Sequence, residues 1–408
     1  MRPLEGIRVI ELGQVIAGTY GTQFLADYGA EVIKVEPPWG DLGRNPATGD
    51  LGGMSSLFAS MNRNKRGIVL DVRHPAGREV LLDLVARADV VVENFRPHTL
   101  DRLGLGEAVL RARNPALIFA SCTGFGLDGP WSAWPSFDLI HQARSGWMSL
   151  IGEPAGPPAS LPIPIADLLA GVYLSHGVLA ALLARERTGA GGRVDTTMLG
   201  VMLSLLSYQG AMYLNAGIVP PRRGTQHEYH VPWQAYETAD GYVVVAPREE
   251  VFWQAFCRAL GQPAVIDDSR FADAPARRRH RDDLAAIVEP ILRSRSTAMW
   301  LAAFEEHGVP AAPILDLAEA LSDPFVDAER LTVEVAPAGV DGPIRVLNNP
   351  IHLDGRAAAP TLPPPMLGEH TDAVLREILG YDDRRLADLR ASGVLGTDGP
   401  AGSRARSR

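Results

Sequence analysis

Cysteine is almost absent from this 408-residue chain, with only Cys122 and Cys257, far apart in sequence. No disulfide framework and no CxxC zinc pattern can be built from them, and a reducing compartment fits. Positive charge is not in excess either. Lys and Arg number 39 against 48 Asp and Glu, a net charge of −9, which argues against a nucleic-acid coat. Long apolar runs are missing: the most apolar stretch, Met198 to Leu214, carries Ser204, Ser207, Tyr208 and Gln209 and reads as a buried helix rather than a membrane span. The N-terminus enters a strand without a signal-peptide core. The expectation is a cytoplasmic protein with neither nucleic acid nor membrane as partner. Hydrophobic residues at 46% and charged residues at 21% give a globular chain of two or more domains.

Several catalytic signatures are also lacking. There is no GxSxG elbow and no HExxH, and the first strand-to-helix turn is not a GxGxxG. The first strand-to-helix turn reads Glu11-Leu-Gly-Gln-Val-Ile-Ala-Gly-Thr-Tyr-Gly21. Its Gly13-x4-Gly18 spacing begins like a P-loop, but Thr19 stands where the lysine belongs, which argues against NTP hydrolysis. Glu36 ends the second strand as a ribose-binding acid would, without the glycine fingerprint of a nicotinamide site. The turn still offers backbone N–H groups at a helix N-terminus, a generic anion site. The cluster His227-Glu-Tyr-His230 reads as a hydrogen-bonded loop, and no metal site is expected.

What is present is a βαβ rhythm. Strands are expected at Ile7–Leu12, Glu31–Val35, Gly67–Val72, Ala88–Val92 and Leu117–Ala120, with helices at Ala17–Tyr28, Ala76–Ala86 and Gly106–Arg113. Near-continuous apolar strands imply a parallel sheet covered on both faces. Long helices are expected over Phe137–Ile151, Leu168–Arg187 and Thr196–Ala216. The pattern changes near Pro220-Pro-Arg-Arg-Gly224. A hairpin, Trp233–Glu237 and Tyr242–Val245, follows around Ala239-Asp-Gly241, then helices at Glu250–Leu260, Arg281–Ser294 and Thr297–His307. The fold class is therefore α/β: a large Rossmann-like domain over 1–222 and a smaller α+β domain over 226–330. A segment over 345–395, with the Pro-rich Ala359–Pro365 and a helix at Asp372–Leu379, returns to the large domain. The tail 396–408 is low in hydrophobes and expected to be disordered.

Asp167 is the principal candidate for chemistry. It lies in Leu161-Pro-Ile-Pro-Ile-Ala-Asp-Leu-Leu-Ala-Gly-Val-Tyr173, where the prolines keep the approach extended and an apolar helix follows. A carboxylate at this strand-to-helix junction meets unpaired N–H groups and the positive end of the helix dipole, and is expected to stay ionised. In a dry pocket it is a nucleophile toward an activated acyl group; the bland alternative is an N-cap. Basic residues recur near the strand ends at Lys65, Arg66, Arg73, Arg96 and Arg102, which suits a phosphate-bearing ligand. Asn94-Phe95 adds an amide and an aromatic face for a planar base, unless Phe95 is core.

Taken in order, a set of segments resembles the class III CoA-transferases of the CaiB/BaiF type. They are Leu4-Glu-Gly-Ile-Arg-Val-Ile, Ala26-Asp-Tyr-Gly-Ala-Glu-Val-Ile-Lys-Val-Glu36, Asn64-Lys-Arg-Gly, Val92-Glu-Asn-Phe95, Asp101-Arg-Leu-Gly104, Gly124-Phe-Gly, Ala166-Asp167, Thr188-Gly-Ala-Gly191, Val194-Asp195, Ala239-Asp-Gly-Tyr242, Gly308-Val-Pro310 and Leu367-Gly-Glu-His-Thr371. The resemblance implies an interlocked, ring-like homodimer, with Asp167 as nucleophile toward an acyl-CoA. It implies a mixed anhydride and then an aspartyl-CoA thioester, with coenzyme A as substrate, a free carboxylic acid as acceptor and no metal or organic cofactor. It places Val15, Ile16 and Ala17 near the thioester, Arg73 and Arg102 on the CoA phosphates, Asn94 and Phe95 on the adenine side, and Phe137-Asp138 beside Asp167. For Asp138 a helix N-cap is the competing reading.

There are departures. Formyl-CoA transferases carry glutamine at the place of Ile16, arginine at that of Pro37 and a glycine-rich lid, where this chain has Gly224-Thr-Gln-His-Glu-Tyr-His-Val-Pro232. His227, Tyr229 and His230 would then meet a larger acid. With the flank Arg222-Arg223, this points to a C4–C5 dicarboxylate and succinyl-CoA as donor. The alternatives are a 2-methylacyl-CoA racemase of the same fold and a non-catalytic CoA-binding protein. The racemase needs a proton-carrying histidine where Phe137 stands; His141 lies one helical turn on.

Overall fold

The computed structural model describes residues 1–396, so all but the first residue of the expected disordered tail lies outside it. The chain divides into two compact units, Met1–Gly146 with Leu161–Ala211 and the segment from Pro324 onward, and Trp147–Ser160 with Met212–Asp323. The expected boundary at 222 therefore falls earlier, the segment 324–330 belongs with the large unit, and residues 147–160 leave it.

The large unit is built on a six-stranded parallel sheet in the order β3-β2-β1-β4-β5-β6. The strands are β1 Arg8–Glu11, β2 Glu31–Glu36, β3 Lys65–Val69, β4 Val90–Glu93, β5 Ile118–Thr123 and β6 Gly192–Thr197. Val9, Ile10, Ile33, Val90, Val91 and Ile118 have no exposed surface, because helices cover both faces. The order reverses between β1 and β4, the crevice where ligands of doubly wound sheets collect. β6 was not expected: Gly-Arg-Val-Asp-Thr-Thr is polar and half exposed, so hydrophobic patterning misses it. It takes the start of the helix expected from Thr196, which resolves into Met198–Ser204 and Ser207–Ala216. The helix expected over Phe137–Ile151 also breaks, at Gly146, whose φ of 87° is left-handed.

Three helices position the site: α1 Ala17–Asp27, α2 Asp138–Arg144 and α3 Ile165–Thr188. α3 is long and apolar enough, by length and composition, to cross a bilayer, which makes it rather than Met198–Leu214 the most membrane-like stretch. Here it packs on α1, β5, β6 and the helix Met198–Ser204. The C-terminal segment returns to the sheet. His370 N donates to Gly67 O at 2.9 Å and Val69 N to Thr371 Oγ1 at 3.1 Å, so Leu367–Thr371 covers the free edge of β3. A hairpin of β10 Thr332–Val335 and β11 Ile344–Leu347 precedes it.

The smaller unit carries an antiparallel sheet of β7 Gln234–Glu237, β8 Tyr242–Val245 and β9 Ala311–Pro313. Helices Glu250–Ala259, Arg281–Leu292 and Thr297–His307 pack on it around Trp253, Phe256, Trp300 and Phe304, the expected α+β arrangement.

Candidate active site

β1 and β4 part at the centre of the sheet, and the chain after β1 turns sharply there. A Cβ on Gly13 would lie 3.3 Å from Gly18 C and Thr19 N, so the turn closes tightly on the start of α1. Val15 has φ 63°, a left-handed conformation that is strained for a β-branched residue. Two side chains hold it. Gln14 N donates to Asn94 Oδ1 at 2.8 Å and Asn94 Nδ2 donates back to Gln14 O at 2.9 Å. Val15 N donates to Asp41 Oδ1 at 3.0 Å. Asn94 was expected to meet a planar base; its amide is instead occupied by the turn. Ile16 and Ala17 follow, buried, and α1 starts with no side-chain cap.

α3 lies directly against α1 through two glycines. A Cβ on Gly171 would sit 2.6 Å from Ala17 O, and one on Gly21 would sit 2.7 Å from Gly171 O. Asp167 is one helical turn before Gly171, in the first turn of α3, with Pro164 at the N-cap. It is therefore neither a cap residue nor the end of a strand, since Leu161–Pro164 is irregular. The expectation of a readily ionised carboxylate is also overturned. Burial, and then the negative charge of Asp138, push its pKa up to about 7. Both causes disfavour the charged form.

Asp138 opens α2, and its own cap position is Phe137. Its Oδ1 accepts from Ala166 N at 2.6 Å and its Oδ2 from Gln142 Nε2 at 2.6 Å. Asp138 thus caps an amide of α3 rather than its own helix. Phe137 is 70% exposed. His141 is fully buried, its Nε2 lies 2.5 Å from Ser136 Oγ, and its ring packs on Phe125 at 4.8 Å. Burial lowers its pKa to about 4, so it stays neutral and engaged with Ser136.

The basic residues separate into two groups. Lys65 is buried on Glu11, and Arg66 pairs with Glu31 and Glu377, so neither meets a phosphate. Glu36 is gripped by Arg44 through two 2.6 Å bonds and is not free for a ribose. Arg73, Arg96 and Arg102 are exposed. Arg73 pairs with Asp71 at 2.9 Å and lies over the Trp39 ring at 4.1 Å, and Arg102 donates to Thr99 Oγ1 at 3.0 Å. Phe95 is partly buried against the main core. In the smaller unit, the backbone N–H groups of Tyr229 and His230 both donate to His227 Nδ1 at 3.1 Å. The His227 ring stacks on Trp233 at 4.7 Å. Arg281 braces this loop by donating to His227 O at 2.9 Å and Glu228 O at 3.1 Å.

The profile of CoA-transferase family III matches residues 4–371. The chain belongs to that family. It is 38% identical over 402 residues to an acyl-CoA transferase of Fusarium pseudograminearum, covering 96% of this chain and 88% of the relative. It is 35% identical over 396 residues to the human succinyl-CoA:glutarate CoA-transferase, covering 97% and 90%. The crystal structure of a CaiB/BaiF family protein from Brucella suis superposes with a TM-score of 0.83 at 36% identity, covering 92% of this chain and 99% of that one. The resemblance read from the ordered segments is thus the family itself, and the chain is a CoA-transferase.

Sequence reasoning missed Glu11, Lys34 and Asp41 beneath the first turn, and the glycine pair that seats α3 on α1. One signal for the former was in plain view: the chain has only two lysines, Lys34 and Lys65, and Lys34 falls inside an expected apolar strand.

Proposed function

We propose that this CoA-transferase moves CoA from succinyl-CoA to a C4–C5 dicarboxylic acid through covalent intermediates on Asp167. The observation that carries this reading is the Asp167 carboxyl group. It is poised near neutral pH in the first turn of α3, against the helix that leaves the Val15–Ala17 turn. In the proposed sequence, an Asp167 carboxylate oxygen attacks the thioester carbonyl. The C–S bond breaks, CoA thiolate leaves, and a mixed anhydride remains. The thiolate then attacks the aspartyl carbonyl, the anhydride C–O bond breaks, and the donor acid departs from an aspartyl-CoA thioester. The acceptor carboxylate attacks that carbonyl, the C–S bond breaks, CoA thiolate leaves, and a second mixed anhydride joins Asp167 to the acceptor. Thiolate attack on the acceptor carbonyl then yields the new acyl-CoA and free Asp167. Thioester energy is conserved throughout, so no metal or organic cofactor is required, but water must be excluded from the anhydride.

The human relative is named for succinyl-CoA and glutarate, which supports the dicarboxylate class. Tyr229, His230 and the Arg222–Arg223 flank are proposed to meet the acid. A homodimer, interlocked as the resemblance implies, is proposed to cover the apolar surface that the described chain leaves open. In the large unit, Val172, Tyr173 and Leu183 on α3 and Leu203 and Tyr208 after it are exposed apolar side chains. A racemase is not favoured: Phe137 carries no proton and His141 is held by Ser136.

The test is one incubation in D2O of the protein, succinyl-CoA, a chiral 2-methylacyl-CoA and a pool of free acids, read by mass spectrometry of all thioesters. Dicarboxylyl-CoA products are expected. Deuterium in the 2-methylacyl-CoA without exchange would replace this reading with racemisation. Products from monocarboxylates alone would overturn the dicarboxylate assignment.

A further inference from the structure

Beneath the first turn lies a fully buried network of four charged groups. Glu11, Lys34 and Lys65 have no exposed surface and Asp41 has 4%. Lys34 Nζ contacts Gly13 O at 2.9 Å, Glu11 Oε1 at 2.9 Å and Asp41 Oδ2 at 2.7 Å. Its three protons thus have three acceptors. Lys65 Nζ contacts Glu11 Oε2 at 2.8 Å, Thr19 O at 2.8 Å and Asn62 Oδ1 at 3.2 Å. Glu11 joins the two ammonium groups through separate oxygens. Asp41 passes the network on to backbone, accepting from Val15 N at 3.0 Å and Gly43 N at 2.7 Å. One ammonium therefore fixes the segment from both sides, through the Gly13 carbonyl and, by way of Asp41, through the Val15 amide. The other holds the Thr19 carbonyl in the first turn of α1.

We propose that Asp41 and Lys34 are positioning residues for CoA transfer. They hold the strained left-handed turn at Val15, and with it the start of α1, in register with the turn of α3 that carries Asp167. Left-handed backbone at a β-branched residue persists only where its surroundings over-determine it. The surroundings here are Asn94 on one peptide and Asp41 on the next. Asp41 is a buried carboxylate that needs a counter-charge, which Lys34 supplies. The coupling to chemistry is geometric: Ala17 O lies against Gly171, one helical turn from Asp167, so a shift of the Val15 turn moves one wall of the site relative to the nucleophile. The inference rests on the reading of Asp167 as the group that takes the acyl carbon.

The test uses Asp41→Ala, which removes charge and acceptor, and Asp41→Asn, which keeps an acceptor for Val15 N. Both are assayed for kcat, for KM toward the acyl-CoA donor and for thermal melting. D41A is expected to lose about 10²-fold in kcat, the scale of an ångström-level misplacement, with KM within about threefold of wild type. D41N is expected to recover at least about tenfold of that loss, since the hydrogen bond to Val15 returns. A D41A protein that is folded at the assay temperature and keeps wild-type kcat overturns the proposal. Should D41A fail to fold, Asp41→Glu serves, since it keeps the charge opposite Lys34 but displaces the acceptor from Val15 N; kcat is expected to fall, and wild-type kcat in a folded D41E overturns the proposal equally. The rate of covalent labelling of Asp167, followed alongside, separates the two layers. Transfer by wild-type enzyme with no label on Asp167 defeats the nucleophile reading. Equal labelling rates in wild type and D41A defeat the positioning inference alone.

Discussion

Asp138 Oδ1 accepts the backbone N–H of Ala166 at 2.6 Å, one residue before Asp167. The bond secures the start of α3 and brings a second carboxylate to the nucleophile. Burial first, and Asp138 second, raise the Asp167 pKa to about 7. Asp167 is then protonated and inert below that pH. The first half-reaction is expected to fall on the acid side with an apparent pKa near 7. Asp138→Asn keeps an acceptor for Ala166 but removes the charge, so the acid limb should move to lower pH while burial keeps it above the ordinary carboxylate value. Stopped-flow rates against pH check this, and an unmoved limb contradicts it.

The same shift makes Asp167 a stability liability. Its folded pKa of about 7 exceeds the ordinary value of 3.8, so between these values the folded chain binds more protons than the unfolded one, and stability falls as pH rises through the window. Asp167→Asn lacks that term. Its melting temperature is expected to match wild type near pH 4 and to exceed it above pH 7, by an amount corresponding to about 1–3 kcal/mol. Calorimetry at the two pH values measures the difference; an advantage that is the same at both pH values contradicts it.

Gly171 lets α3 rest on α1. An alanine there would place its Cβ 2.6 Å from Ala17 O, closer than any van der Waals contact, and backbone rather than a flexible side chain would have to give. In an ordinary helix interior glycine-to-alanine stabilises by about 1 kcal/mol. Here Gly171→Ala is expected to destabilise by about 1–3 kcal/mol and to lower kcat, because the helix carrying Asp167 is displaced. Urea unfolding and steady-state kinetics on one preparation test both halves.

Much of the sheet was legible because β1, β2, β4 and β5 are buried on both faces and read as apolar runs, flanked by helices whose limits fell within about two residues, as is usual for helix ends. β6 was not legible, since Arg193, Asp195 and the threonines follow the rule of an edge strand, not of a core. Gly146 and Gly192 gave no hint of which would break a helix and which would open a strand. At the site, Asp167 and the Val15–Ala17 turn could be placed by the family resemblance. The roles of Asp138, Asn94 and Lys65 could not, because each is decided by a partner 28 to 80 residues away or by neighbouring strands of the sheet. The pKa of Asp167 was misjudged for the same reason. A helix N-terminus is visible in sequence, whereas burial and a second carboxylate are properties of the assembled pocket.

The most direct test of Asp167 as nucleophile is mass spectrometry of the acid-quenched wild-type chain after brief exposure to succinyl-CoA without acceptor. The expected result is a peptide containing Asp167 that carries CoA as a thioester or the acyl group as an anhydride, absent from Asp167→Ala, with transfer in that variant reduced by about 10³-fold or more. An unmodified Asp167 peptide in enzyme that is turning over, or an Asp167→Ala variant that transfers CoA at the wild-type rate, would contradict it.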